Sequence, residues 1–361
     1  MAGLLNINIS LKNISLEEHE LLPTCQKSSP IRHQNILIPT IYSIIFVLGI
    51  IGNGLVVFVL CHTSSRKTVA NTYILNLALS DLLFLLSLPF WAVYYSFDYD
   101  WIFGQLMCKL CGGLLTLNLY ASIFFITCMS MDRYMAIVHP LKSQRYRNLC
   151  RARLVSLLVW TAAGLSTAPT LVYRDTFHTG HVTACVIHFH SHSLFVGLAL
   201  MKNILGFLLP FTIITSCYCG IIRHLLAAPG PDKSTSNLDK VLKMVGAVVL
   251  AFFLCWFPFH MLTFLDVLVS LKVVEACGVG QSVSLVLPFT ICLGFSNSAV
   301  NPFLYCFVGN HFQEQLGGLA QTHVSGLFQK RGSFSTRLSS FSRKLSDLKD
   351  LLGLYDQHYI N

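Results

Sequence analysis

The sequence predicts an all-α membrane protein, a bundle of seven transmembrane helices, and three observations predict it. The 361 residues are 54% hydrophobic and only 11% charged, and a mean hydropathy of +0.62 is too apolar for a soluble domain. Seven apolar segments, at roughly 36–62, 68–96, 105–138, 153–172, 193–224, 240–270 and 282–307, are each long enough to cross a bilayer. The connections alternate in charge. One set holds Arg66, Lys67, Lys142, Arg145, Arg147, Arg151 and Arg153, and the tail adds Lys330, Arg331, Arg337, Arg343, Lys344 and Lys349. The other set holds Asp98, Asp100, Arg174, Asp175, Lys272 and Glu275. Basic connections stay in the cytoplasm, which places the N-terminus outside the cell and the C-terminus inside.

The expected organisation is an outer tail at 1–35, one bundle at 36–307 and a cytoplasmic segment at 308–361. The outer tail carries two glycosylation sequons, at Asn8 and Asn13. It lacks a charged start followed by an apolar core and cleavage site, so the first span is expected to act as the targeting element. In the second span Asp81 stands far from either end, and a carboxylate there should face polar partners or a cation inside the bundle. The third span carries Leu115, Asn118, Ser122, Phe125, Met129 and Arg133 every three or four residues, one stripe from end to end. Asp132, Arg133 and Tyr134 close that stripe at its inner end, which fits a helix that transmits a signal. Asn118, Ser122, Asn297 and Asn301 share the depth of Asp81. Their oxygens would suit a small hard cation such as sodium, and a hydrogen-bonded structural cluster holding only water is the equal alternative.

Lys202 is the only Lys, Arg, Asp or Glu between Asp175 and Arg223. It lies about 13 Å below the outer end of the fifth span, at about 1.5 Å per residue. That depth is too great for its stem to reach bulk water, so it should face a wet cavity or an anion. Arg174, at the end of span four, and Asp266, toward the outer end of span six, complete a cavity with cations inside and an anion at its rim. Such a cavity would take a ligand carboxylate first, with a basic group left near the surface. Pro89, Pro169, Pro210, Pro258, Pro288 and Pro302 punctuate the spans and invite kinks. Trp256 lies just before Pro258, where a large ring at a bend could serve as a switch or simply pack in the core. His188, His190 and His192 alternate as metal ligands on a strand would, although solvated loop histidines are the expected reading.

Of 13 cysteines, Cys25, Cys108, Cys185 and Cys277 fall in outer segments, where disulfides form. Four allow three connectivities. The expected one pairs Cys108 with Cys185 and Cys25 with Cys277. Residues 310–315 read as a short interfacial helix, and the serine-rich basic tail beyond reads as a disordered kinase target. The facing spans show no catalytic dyad, metal motif or inverted repeat, so neither an enzyme nor a transporter is expected. Nothing points to nucleic acid.

Gly52-Asn53, Leu77 with Asp81, Asp132-Arg133-Tyr134, Trp160, Pro210 with Tyr218, Cys255-Trp256-Phe257-Pro258 and Asn301-Pro302-Phe303-Leu304-Tyr305 together form a pattern. The chain resembles a rhodopsin-like (class A) G-protein-coupled receptor over roughly residues 30–315. Within that class it resembles the angiotensin receptors. YASIFFITCMSMDRY, ALMKNILGF and VLKMVGAVVLAFFLCWFPFHMLTFLD are most similar to the type 2 members, whereas IPTIYSIIFVLGIIGN and DRYMAIVHPLKS are nearer type 1.

The resemblance implies a plasma-membrane receptor for an angiotensin-type peptide that engages a G protein or arrestin through helix rearrangement. The alternatives are a non-signalling peptide-binding or receptor-pairing protein and a receptor for another small peptide. It also implies that Lys202 and Arg174 hold the peptide carboxylate and that Asp266 meets a peptide arginine. Tyr42, Trp91, Tyr95, Leu115, Thr116, Leu119, Trp256, Phe259, Ile291 and Phe295 would line the pocket, and Asp132, Arg133, Tyr134, Tyr218, Trp256 and Tyr305 would govern activation. Two departures stand out. Ser284 occupies the place where the family carries a second aspartate at the head of span seven, and HFQEQLGG is less basic than the usual interfacial segment.

Overall fold

The protein, described by a computed structural model over residues 33–62, 68–180, 182–227, 235–274 and 276–308, crosses the membrane seven times. The first crossing is α1 (Gln34–His62). The second is divided into α2 (Val69–Leu85) and α3 (Leu88–Ser96), and the third is α4 (Gly104–Val138). A short connecting helix, α5 (Pro140–Tyr146), leads into the fourth crossing, α6 (Leu149–Tyr173). The fifth comprises α7 (His192–Asn203), a wide π turn at Ile204–Leu208 and α8 (Leu209–Ala227). The sixth and seventh are α9 (Thr235–Ser270) and α10 (Ala276–Val308). Predicted and observed spans agree except that α6, α9 and α10 each start four to six residues earlier and that the sequence does not predict α5.

Local chemistry sets several starts. Thr68, Asn148 and Ser191 precede α2, α6 and α7, and their side-chain oxygens accept from the backbone N–H of Asn71 (3.1 Å), Arg151 (2.8 Å) and Leu194 (3.2 Å). Each satisfies a donor that the first helical turn leaves free. Two breaks follow proline chemistry. Pro89 opens α3 just after the interruption at 86–87, where the Ser87 hydroxyl donates to the Phe84 carbonyl at 2.7 Å. The π turn lies directly before Pro210, whose ring removes the ordinary bond to the Gly206 carbonyl.

The third crossing is the centre of the bundle. Of its most apolar window 72% is buried, against 28% for α1, so α1 turns most of its surface to lipid. α4 packs on α2, α6 and α8, while α9 packs on α10 and α10 on α1. Where α1 meets α10, a Cβ at Gly52 would come within 2.8 Å of Pro302 Cβ and 2.9 Å of its Cγ. The pyrrolidine ring is rigid and cannot swing aside. Gly52→Ala is therefore expected to destabilise the bundle by about 1–3 kcal/mol, the usual cost of overpacking. Thermal unfolding of the detergent-solubilised protein should show a lower midpoint, and an unchanged midpoint would mean that the helices separate freely.

Between α6 and α7 the chain forms an antiparallel hairpin, β1 (Arg174–Thr179) and β2 (Val182–Ile187), with Arg174 opposite Ile187 and Thr176 opposite Cys185. The sequence reading expected only a loop here, because six-residue strands carry little periodic signal. Gly180, at φ +61°, sits in the turn between them. A backbone bond from Trp101 N–H to Thr183 O (2.7 Å) and a bond from Thr183 N–H to the Asp100 carboxylate at Oδ1 (2.8 Å) tie β2 to the connection before α4. The disulfide between Cys108 and Cys185 ties it to α4 itself. Cys25, Asn8, Asn13, the interfacial segment at 310–315 and the tail lie outside the described residues, as do the side chains of Cys277, Ser284 and Tyr305.

Candidate functional site

A cavity opens between the helices at the hairpin end of the bundle. α7 carries Lys202 into it, the start of β1 carries Arg174, and α9 carries Asp266. Trp91, Leu115, Thr116, Trp256, Phe259, Ile291 and Phe295 are also in its wall. The Lys202 ammonium lies 6.0 Å from the Phe259 ring centre, and the Arg174 guanidinium lies 5.4 Å from that of Trp91. Such cation–π contacts partly replace lost water, although they do not neutralise a charge.

The ion pairs among the described residues are those of Asp132 with Arg133 and with Arg147. Lys202, Arg174 and Asp266 therefore have no counter-ion there. Arg174 is only 3% exposed, yet its Nε has no hydrogen-bond partner and its Nη1 reaches no better acceptor than Cys185 Sγ at 3.5 Å. Burial pushes this guanidinium down to about 10, so it stays charged at neutral pH. A buried cation with unused donors is strongly unfavourable alone, and an arriving anion relieves much of that cost. The indole Nε1 of Trp91 is likewise buried without a partner.

Three expected wall residues are elsewhere. Tyr42 and Tyr95 form a second layer: their rings meet edge to face at 5.6 Å, and Tyr42 packs 5.3 Å behind Phe295. Leu119 is buried, as they are, and does not line the cavity. The structure adds Phe189 from the segment after the hairpin, Phe195 from α7, Tyr120 from α4 and Thr263 from α9. It also adds a buried polar contact that the sequence reading missed. Asn203 Oδ1 faces His260 Nδ1 at 3.0 Å and accepts from the Thr263 hydroxyl at 3.2 Å. A polar residue one position after Lys202 was the available signal.

Deeper in the bundle Asp81 is fully buried. Its Oδ1 accepts from Asn118 Nδ2 (2.9 Å) and Ser298 Oγ (2.7 Å), and its Oδ2 from Asn301 Nδ2 (3.0 Å). Asn118 Nδ2 also reaches Ser122 Oγ at 3.1 Å and Ser80 Oγ at 3.2 Å. Asn297 is close by but does not join: its Nδ2 has no partner. Ser298 takes the place expected for it. Neighbouring positions on a helix are separated by about 100° of rotation, and the sequence offered Asn297 as the more polar choice.

At the other end of α4, Asp132 is shared. It pairs with the adjacent Arg133 and accepts from Arg147 Nε at 2.8 Å and Nη2 at 3.1 Å. Arg133 is 5% exposed. The Tyr218 hydroxyl is buried without a partner, and a Cβ at Gly246 on α9 would lie 3.7 Å from it. A Cβ at Gly220 would come within 2.6 Å of the Tyr134 ring, so α8 and α4 approach closely here. Trp256 is seated on Gly294 of α10, where a Cβ would come within 2.8 Å of the indole.

Comparison with known proteins agrees with this arrangement. The family described as 7 transmembrane receptor (rhodopsin family) matches residues 52–305. The chain is 48% identical to the human type-2 angiotensin II receptor over 344 residues, 94% of each chain. It is 49% identical to the rat type-2 angiotensin II receptor over 313 residues, 85% of this chain and 86% of the relative. Against the pig type-1 angiotensin II receptor, identity is 42% over 327 residues, 90% of this chain and 91% of the relative.

Proposed function

The chain belongs to the rhodopsin family of seven-transmembrane receptors, alongside the angiotensin II receptors, and on that premise we propose that it is a cell-surface receptor for an angiotensin-type peptide. The observation that carries the ligand reading is the pair of cations, Lys202 and Arg174, that line one cavity without a counter-ion among the described residues. A peptide C-terminal carboxylate supplies the missing anion. Asp266, in the same wall, suits a basic residue of the same peptide. The hairpin end then faces outside the cell, the Arg133 end faces a cytoplasmic G protein or arrestin, and the membrane is the plasma membrane. Binding of labelled angiotensin peptides to cells expressing this chain tests the ligand; recruitment of G protein or arrestin on binding tests the coupling. Saturable binding without recruitment would favour a non-signalling binding protein.

The Asp81 cluster fits a small hard cation by its chemistry. Asp81, Ser122, Ser298 and Asn118 present oxygen ligands, and the Asn301 Oδ1 is buried without a partner. Sodium bound there would hold α2, α4 and α10 together and oppose their rearrangement. Asp81→Asn, which removes the cluster's one full negative charge, is then expected to abolish the reduction of agonist binding by sodium. Wild-type binding that is equal in sodium and in a bulky organic cation would leave the cluster with a structural role only.

A further inference from the structure

Residues 174–192, from the end of α6 to the start of α7, carry five histidines, and the four that the structure describes, His178, His188, His190 and His192, are of two kinds. His178 Nδ1 is engaged by the Thr183 hydroxyl at 2.9 Å, and His192 Nε2 by the Ser270 carbonyl at 3.0 Å. His188 and His190 are exposed, and their rings have no hydrogen-bond partner among the described residues. Their ring centres lie 5.1 Å apart at an interplanar angle of 79°. Imidazole nitrogen binds zinc at about 2.0–2.1 Å, which puts each ring centre about 3.2 Å from the metal; two rings meeting at a tetrahedral angle then lie about 5 Å apart. We propose that His188 and His190 form a two-histidine chelate for a divalent transition metal of the zinc and copper type, placed on the rim of the ligand cavity.

The extended backbone supports this pairing. Residues two apart on an extended chain point the same way, and here Ile187 and Phe189 line the cavity while His188 and His190 lie on the exposed side. The His188 backbone N–H donates to the Tyr173 carbonyl at 2.7 Å, and the His190 ring packs 5.9 Å from the Tyr173 ring. One end of the chelate is thus already fixed to the end of α6. No group of three metal-ligating side chains exists among the described residues. The remaining positions on the metal are left to water or to a donor on a bound ligand. A metal shared by the two rings immobilises the strand end whose reverse side contributes Ile187 and Phe189 to the cavity wall.

The test uses the full chain in lipid nanodiscs with copper(II) as the spectroscopic probe and zinc as competitor. Wild type should show one copper equivalent with two equatorial nitrogens that zinc displaces. His188→Gln and His190→Gln should each lose that spectrum and weaken binding by about tenfold or more, while His192→Gln should keep both. Because both histidines are exposed, the thermal midpoint should not change. Identical spectra in wild type and either single variant would overturn the proposal, as would an equal loss in His192→Gln. This measurement uses no peptide, so it fails or succeeds independently of the ligand assignment. A second readout is dissociation of a bound peptide, which zinc should slow several-fold in wild type and not in His190→Gln. Metal binding with unaltered dissociation would overturn its effect on the cavity wall.

Discussion

Lys202→Gln is expected to lower the affinity for a free-acid angiotensin-type peptide by about thirty-fold or more, at about 1.4 kcal/mol per decade. The ammonium stands on α7 in the cavity wall, 6.0 Å from the Phe259 ring centre and without an ion-pair partner among the described residues. Removing one member of a buried pair costs about 2–5 kcal/mol, partly because the other charge is left unpaired. Glutamine keeps length and polarity, so folding and surface display should survive. The C-terminally amidated peptide is the discriminating ligand. It should already bind wild type weakly, and it should lose much less on mutation. Equal losses for acid and amide would show that Lys202 supports the cavity rather than meeting the carboxylate.

The second large effect lies at a residue that touches no ligand. Gly112→Ala is expected to weaken peptide binding by about tenfold or more, or about 1.4 kcal/mol. A Cβ at Gly112 would occupy the space of the Arg174 side chain at its Cδ and Nε. Those atoms lie in the middle of the side chain, so the whole guanidinium must move off Trp91 and Cys185. Arg174→Gln should give a similar loss, and the double variant should be no worse than Arg174→Gln alone, because both changes remove the same contact. Additive losses would mean that Gly112 acts through the packing of α4 instead. Peptide competition binding on the four proteins decides it.

The seven crossings were legible because a membrane demands long apolar runs, and composition reports these directly. The isolated charges inside the bundle were legible for a related reason: Lys202 and Asp81 are conspicuous among apolar neighbours. The hairpin was not, since its order comes from the Cys108–Cys185 bond and from Asp100 and Trp101, residues remote in sequence. Layer depth was also hidden. Tyr42 and Tyr95 have the same chemistry as wall residues, and only the packing of Tyr42 against Phe295 and of Tyr95 against Tyr42 places them behind the wall. The choice of Ser298 over Asn297 turned on one residue of helical rotation, finer than a polarity pattern can resolve.

The carboxylate of Asp132, held from two sides, has a consequence for the energetics of switching. If Arg133 leaves to meet an incoming partner, Asp132 keeps Arg147, which already contacts both of its oxygens. The side chain of Arg147 is 33% exposed against 9% for Asp132, so water reaches this second clasp before the first opens. No uncompensated negative charge is created along the way, and the heaviest electrostatic penalty of opening a buried pair is avoided. If opening of the Arg133–Asp132 pair is the switch, that pair is thereby latched lightly, and the sensitivity of the latch is set by a residue beyond the end of the helix it secures.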